Sequence, residues 1–338
     1  AQYNALIDRV ELIASNSDEP ILLLGETGTG KTELAERIHS LKLDRRRIKG
    51  RLVHVNCATL NGPDAMATLF GQRRSYIGAA GTERSGLLRE ADGGVLFLDD
   101  VDELNANMQS VLLHAIETGR FYPLGADHEI SSRFHLITGA NRDLRSLTAS
   151  GDFRPDLLAR LNTWSFTLPA LRNRTEDFEA NLRHELERCE RDLGNHVGFN
   201  ADARAQYLEF AKDPATLWPG NFRDFSGSIR RLCTLAPRGR ITRAMVSSEI
   251  ETLLADWKSA QSNDDFKLVA DVMGGAVSDV DPFDLVQLAQ VIRICRQSSS
   301  LSAAGRALFA VSRAKRKTQN DADRLRKYLG KFGLEWSA

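Results

Sequence analysis

The run Gly25-Glu26-Thr27-Gly28-Thr29-Gly30-Lys31-Thr32 lies between an apolar stretch, Ile21-Leu-Leu-Leu24, and a helical pattern from Glu33 to Leu41. These residue types at this spacing suit one task, the binding of a polyphosphate. Glycines at 25, 28 and 30 let backbone N–H groups close around phosphate oxygens, and the following helix turns the positive end of its dipole toward the same charge. Lys31 is placed to neutralise the β- and γ-phosphates and Thr32 to ligate a magnesium ion, so ATP and Mg²⁺ are the expected cofactors. A second apolar run, Val95-Leu-Phe-Leu98, ends in Asp99-Asp100. Asp99 is expected to hold Mg²⁺ through water, and Asp100 to orient the attacking water of a phosphoryl transfer.

Both pairs of residues need a scaffold that ends strands side by side. The two apolar runs do not alternate with polar residues, which is the pattern of parallel strands buried on both faces. An α/β nucleotide-binding fold with a parallel sheet follows. At 338 residues the chain exceeds what one hydrophobic core serves, so a second and a third domain are expected. No apolar run is long enough to span a bilayer, and no charged-then-apolar leader opens the chain, which points to a cytoplasmic protein with no membrane partner. Cys57, Cys189, Cys233 and Cys295 are scattered without a CxxC pair, and the histidines lack metal-ligand spacing. A disulfide or zinc framework is therefore not expected. The chain opens on Ala1 and enters a helical pattern almost at once, which suggests a fragment with a regulatory domain upstream.

After Leu168-Pro-Ala-Leu171 the strand-like runs give way to amphipathic helical patterns continuing through Leu254. The expected organisation is a nucleotide-binding domain over 1–172, a helical lid over 173–255, an Asp- and Gly-rich linker over 256–282 and a helical domain over 283–338. Formal net charge is zero over the whole chain, yet residues 301–338 carry nine basic side chains against three acidic ones. That local excess suits a polyanionic partner.

Further segments resemble the AAA+ ATPases of bacterial enhancer-binding proteins, which activate sigma-54 RNA polymerase, and the resemblance runs over nearly the whole chain. Val53-His-Val-Asn56-Cys-Ala is similar to the strand carrying the family's switch asparagine, which implies that Asn56 restrains the acid at 100. Thr138-Gly-Ala-Asn141-Arg-Asp-Leu144 resembles the sensor I strand, placing Asn141 near the γ-phosphate. Phe153-Arg154-Pro-Asp-Leu-Leu-Ala-Arg160 is similar to the segment that supplies arginine fingers to a neighbouring subunit, so Arg154 and Arg160 imply a homo-oligomeric ring. Trp218-Pro-Gly-Asn-Phe-Arg223 resembles sensor II in the lid, with Arg223 reaching the nucleotide.

Ser300-Leu-Ser-Ala-Ala-Gly-Arg-Ala-Leu-Phe309 and Asn320-Asp-Ala-Asp-Arg-Leu-Arg-Lys-Tyr-Leu329 resemble a Fis-type helix-turn-helix. Such a module implies DNA, here upstream enhancer sites, as a partner. Asp323, Arg324 and Lys327 would then face the groove, and Arg313, Lys315, Arg316 and Lys317 would meet phosphates. Within the family, these segments and Phe121-Tyr-Pro are similar to regulators of RNA-repair operons.

Two positions depart from the family. Its sigma-54-contacting loop reads Gly-Ala-Phe-Thr-Gly-Ala, whereas this chain has Ser75-Tyr76-Ile77-Gly78-Ala79-Ala80 in the same register. Tyr76 could serve as the aromatic contact to polymerase. Tyr76-Ile77-Gly78 equally resembles the loop with which other AAA+ rings grip an extended peptide. A ring motor or regulator acting elsewhere than on sigma-54 therefore stays open, whereas the Trp218–Arg223 segment argues against a replication or recombination ATPase. The other departure is Asp100, where the family carries Glu, so the carboxylate is held one methylene farther from the water. A misplacement on the order of 1 Å can cost about a hundredfold in rate. Asp100→Glu is expected to raise ATP turnover without changing nucleotide affinity, as steady-state kinetics would register; equal or lower turnover would refute that explanation.

Overall fold

The apolar runs beside the two chemical motifs become adjacent parts of a five-stranded parallel sheet. A computed structural model describes residues 2–45, 47–60, 62, 64–73, 84–313 and 320–336, in two compact units, Ala1–Val246 and Ser247–Ala338. In the first unit, helix α1 (Gln2–Asn16) precedes β1 (Ile21–Leu24), α2 (Lys31–Asp44), β2 (Leu52–Asn56), α3 (Ala65–Phe70), α4 (Leu87–Glu90) and β3 (Val95–Asp99). Then come α5 (Ala106–Thr118), the short antiparallel ribbon β4 (Arg120–Phe121) and β5 (Ile130–Ser131), and β6 (His135–Ala140). Helices α6 (Leu144–Ser150) and α7 (Pro155–Leu161) lead to β7 (Trp164–Thr167).

The main sheet has the order β2-β3-β6-β1-β7. Alternation along each strand feeds two cores. Ile21, Leu23, Val95 and Phe97 pack with Val10, Ile13, Leu34 and Ile38 of α1 and α2. Leu22, Leu96 and Leu98 face the opposite layer, with Leu69, Met108, Leu112, Leu144 and Leu157 from α3, α5, α6 and α7. Register then aligns the strand ends: Leu24 lies opposite Ala140, and Asn56 opposite Asp99. The loops after β1, β2, β3 and β6 thus open on one edge, where ligands bind in open α/β sheets.

The lid consists of α8 (Phe178–Leu193), β8 (Gly198–Phe199), α9 (Ala201–Lys212), α10 (Phe222–Leu235) and β9 (Arg240–Ile241). Its centre is aromatic. Trp218 is fully buried among Phe178, Phe210 and Phe225 at centroid distances of 5.6–6.0 Å, and its indole N–H donates to the Ala211 carbonyl. That cluster fixes the turn entering α10, where Asn221 adopts φ 51° and Phe222 N–H donates to Gly28 O at 2.9 Å. A Cβ on Gly28 would lie 2.2 Å from Gly220 O, so only glycine allows the lid turn to rest on the phosphate loop.

The stretch expected as a linker, 256–282, is instead mostly helical. Helix α11 (Arg243–Met273) runs through it, followed by a 3-10 segment, Gly274–Asp279. Its aspartates include Asp264 and Asp265, which both pair with Arg293 at 2.9 and 2.6 Å, Asp265 being buried. Val269 and Val277 join Leu288 and Ile292 in the core of the second unit. The segment is helical because the Arg293 pairs and the buried Val269 and Val277 tie it into the second unit, contacts that the acidic stretch does not reveal. The remaining helices are α12 (Pro282–Gln297), α13 (Leu301–Leu308), α14 (Ala310–Arg313) and α15 (Asp321–Gly330). Gly305 lets α13 approach α15, since a Cβ there would meet Asp321 O at 2.6 Å. No helix among the described residues is long and apolar enough to cross a membrane.

Candidate nucleotide site

Backbone geometry prepares the loop for an anion. Gly30 sits at φ 98° ahead of α2, and no side chain caps that helix, which leaves its first-turn N–H groups open to an anion. Lys31, only 6% exposed, donates to Gly25 O at 2.8 Å, Glu26 O at 3.2 Å and Asn141 Oδ1 at 2.6 Å. Burial pulls its pKa below the usual lysine value, against the charges of Asp99, Asp100 and Asp102. Thr29 closes the loop through its hydroxyl to Glu26 O.

Asn141 is the junction of the site. Its Oδ1 accepts from Lys31, its Nδ2 donates to Asp100 Oδ1, and its backbone N–H donates to Asp102 Oδ1 at 3.3 Å. Asp100 follows the end of β3 in the left-handed region, φ 54°, a conformation costly for a non-glycine residue and typical of functional turns. Burial and the neighbouring Asp99 and Asp102 raise its pKa above the usual carboxylate value. Burial also acts to raise Asp99, yet His54, 3.9 Å away, and Lys31 hold that carboxyl below its usual value. An ionised Asp99 carboxylate and the Thr32 hydroxyl line the same cavity, which suits a hard cation such as Mg²⁺. Gly139 on β6 makes room for Asp99, whose Oδ1 would lie 2.5 Å from a Cβ there.

One cavity of about 660 Å³ collects Thr27, Gly28, Thr29, Gly30, Lys31, Thr32, Asn56, Asp99, Asp100, Asn141 and Arg223. Arg223 reaches it from the lid and depresses the Lys31 pKa further. The switch asparagine is placed differently from expectation. Asn56 lines the cavity, but its Oδ1 accepts from Ala58 N at 2.9 Å, and among the described residues no hydrogen bond joins it to Asp100, which Asn141 holds instead. Arg154 and Arg160 stand outside the cavity. Arg154 binds Asp156 and Ser110 Oγ, and Arg160 binds Glu19 at 3.2 Å.

Sequence reasoning missed three supports. Glu26 accepts a two-pronged contact from Arg172 and a bond from Asn221 Nδ2, while Asn221 Oδ1 accepts from Leu171 N, so one buried asparagine joins loop, strand exit and lid. Arg142 donates to Asp102 at 2.9 Å and to Glu103 at 3.0 Å, clamping the turn after Asp100. Gln109, 1% exposed on α5, donates to Leu104 O and Asp152 O and accepts from Arg154 N. A glutamine on an otherwise apolar helical face was the available signal.

In the second unit, Arg313 and Arg324 each pair with buried Asp321 at 3.4 Å. Arg324 also lies 3.8 Å from the Phe309 ring centroid and donates to Ser312. These two arginines tie α14 and α15 together beside the end of α13, and the Arg324 side chain stays 25% exposed. Asp323 pairs with Lys327 at 3.0 Å, both on α15, and Lys327 is exposed. Lys315, Arg316 and Lys317, like Ser75 to Ala80, lie outside the described residues.

Residues 1–167 match the sigma-54 interaction domain, and residues 260–338 the RtcR C-terminal DNA-binding domain. The chain is 50% identical over 336 residues to the transcriptional regulatory protein RtcR of Escherichia coli (strain K12), covering 99% of this chain. The chain belongs to the sigma-54 activator family. It spans 62% of the length of that relative, and 50% of the DNA-binding transcriptional regulator NtrC of Rhizobium meliloti (strain 1021), which is 32% identical over 250 residues, or 74% of this chain. The crystal structure of NtrX from Brucella abortus in complex with ATP superposes with a TM-score of 0.62 at 22% identity, covering 98% of this chain and 68% of that one, which establishes the shared AAA+ fold. The first family match encloses every strand of the main sheet, and the second every helix from α12 onward.

Gln109 fixes the backbone N–H of Arg154, the residue that the resemblance implies as a finger. Gln109→Leu is expected to lower kcat by on the order of tenfold while leaving the ATP dissociation constant unchanged, because it frees the backbone beneath Arg154 without touching the loop. Turnover equal to wild type in the folded variant would remove that role.

Proposed function

We propose that this chain is an ATP-hydrolysing, ring-forming transcriptional regulator of the cytoplasm that binds DNA through its C-terminal unit and remodels sigma-54 RNA polymerase. The observation that carries the reading is a division of charge. Lys31, Arg223, Asp99, Asp100 and Asn141 share one cavity, whereas Arg154 and Arg160 lie off it at the two ends of α7, Arg154 exposed and Arg160 half-buried. Phosphoryl transfer depends on neutralising the charge of the transition state, and a finger supplied by a neighbour is worth about 10³–10⁵ in kcat. A second copy presenting Arg154 or Arg160 would complete the site.

The mechanism follows from the chain's own groups. The loop N–H groups and Lys31 bind and orient the triphosphate. Asn141 holds Asp100 so that its free carboxylate oxygen can accept a hydrogen bond from the attacking water. Thr32 and Asp99 would hold Mg²⁺, which supplies charge neutralisation at the β- and γ-oxygens. The resemblance of Phe121-Tyr-Pro and of the 300–309 and 320–329 segments to regulators of RNA-repair operons supports control of such an operon as the biological output.

The loop 75–80 favours a second reading, because its Ser-Tyr-Ile-Gly-Ala-Ala lacks the family's Phe and Thr. The ring would then work on another protein or on the ordinary polymerase. ATPase rate against protein concentration, with and without sigma-54 holoenzyme and promoter DNA, separates the two. Our reading predicts a rate per chain that rises with concentration and open-complex formation lost in Tyr76→Ala. Cooperative hydrolysis with no effect on sigma-54 would keep the motor and discard the target; a rate per chain independent of concentration would discard the ring.

A further inference from the structure

Among the described residues, the non-glycine backbones in the left-handed region are those of Asp100, Trp218, Asn221 and Arg238. The first three belong to the nucleotide site or to the turn that enters α10. Arg238, at φ 52° and ψ 33°, lies instead in a 3-10 turn, Pro237–Gly239, between α10 and β9. That conformation costs an arginine more than it costs glycine or asparagine, and such outliers concentrate at functional positions. The turn is held in place: Gly239 packs so closely on the chain entering β8 that a Cβ would lie 2.1 Å from His196 O, and β9 pairs with β8. Ile241 is fully buried, so strand alternation puts Arg240 on the opposite, exposed face. Arg243, also exposed, opens α11, whose first turn has no acidic residue.

From Phe225 to Ser248 the chain carries arginines at 230, 231, 238, 240 and 243 and no aspartate or glutamate. Arg230 reaches out of this stretch to Asp192 on α8 at 3.0 Å. Among the described residues, no ion pair joins Arg238, Arg240 or Arg243 to a carboxylate. Like charges held together repel one another, and a polyanion offsets that cost. The planar guanidinium forks suit phosphate oxygens, which they can meet with two parallel hydrogen bonds. No aromatic residue lies between Ser226 and Ser248 to stack on an unpaired base, so the surface fits the backbone of a duplex and not a single strand. Helix α11 runs from Arg243 to Met273, and residues 260–338 match a DNA-binding domain. A duplex held by that domain is thus tethered to the lid through the same chain, and even a weak second grip becomes intramolecular.

We propose that Arg238, Arg240 and Arg243 form a second DNA contact, on the lid, that grips duplex phosphates without reading base sequence. The proposal rests on the DNA reading of the C-terminal unit and adds a contact outside it. Each guanidinium displaces condensed counterions at a phosphate, so the contact is strong at low salt and fades as salt rises. Helix α10 leads from Phe222, whose N–H meets Gly28 O, to the turn that carries Arg238. The body that touches DNA is therefore also the one that rests on the phosphate loop.

Fluorescence anisotropy of the full chain on a random-sequence DNA duplex of about 30 base pairs, repeated across a salt series, tests this. The triple variant Arg238→Ala, Arg240→Ala, Arg243→Ala should flatten the slope of log affinity against log salt by roughly 2–3 and weaken binding at about 0.1 M salt by on the order of tenfold. The same three positions changed to lysine should keep most of the slope, because the charges remain. Arg238→Gly preserves the left-handed turn and so removes the side chain without threatening the fold; it should lower the slope by about 1. ATP affinity should stay at the wild-type value in all of these variants. A slope unchanged in the alanine variant and in Arg238→Gly overturns the proposal, as does an equal loss in the lysine variant. A loss confined to duplex RNA, with DNA binding retained, gives the patch to RNA and equally overturns it. If the wild type binds no duplex even at low salt, the DNA reading of the C-terminal unit itself fails.

Discussion

A lysine ammonium buried beside two carbonyls and an amide is the constraint on which the site depends. Among the described residues Lys31 has no carboxylate in direct contact; its partners are Gly25 O, Glu26 O and Asn141 Oδ1. A charge taken out of water costs several kcal/mol unless its hydrogen bonds are met, roughly as for other buried ions. The loop must therefore fold back to offer its carbonyls, and β6 must end where Asn141 can reach. The same asparagine passes the constraint on to Asp100, so Lys31, Asn141 and Asp100 are held in one network.

The lid is held to that network by backbone as much as by side chains. Phe222 N–H meets Gly28 O, and Asn221 spans Glu26, Thr27 and Leu171. Behind it the Trp218 cluster provides a rigid base. Because Arg223 follows directly in the chain, any shift of the lid displaces its charge from the cavity. The lid contact and the loop share these hydrogen bonds, which offset the strain of Asn221, held at φ 51° and full burial.

Local patterns made much of this legible. Two uninterrupted apolar runs located β1 and β3, and the glycine spacing located the loop, because both features follow from short-range backbone requirements. The resemblance named Asn141 and Arg223, and both line the cavity. What stayed hidden depends on distant pairing. Glu26 meets Arg172 from across the chain, Gln109 meets Arg154, and Asp265 meets Arg293, none of them close enough in sequence to form a pattern. The misread linker has the same origin, since its acidic residues look solvated until Arg293 is brought to them. Arg324 shows the same limit: its pairing with buried Asp321 and its stacking on Phe309 depend on how α14 and α15 pack, which the basic run does not reveal.

The central claim, that Lys31, Asn141 and Asp100 act as one unit, is tested most directly by single-turnover ATP hydrolysis in Asn141→Leu, with binding measured alongside. The account predicts an ATP dissociation constant within about threefold of wild type and a hydrolysis rate lower by on the order of a hundredfold, the scale of a displaced general base. A variant that hydrolyses ATP at the wild-type rate would contradict it.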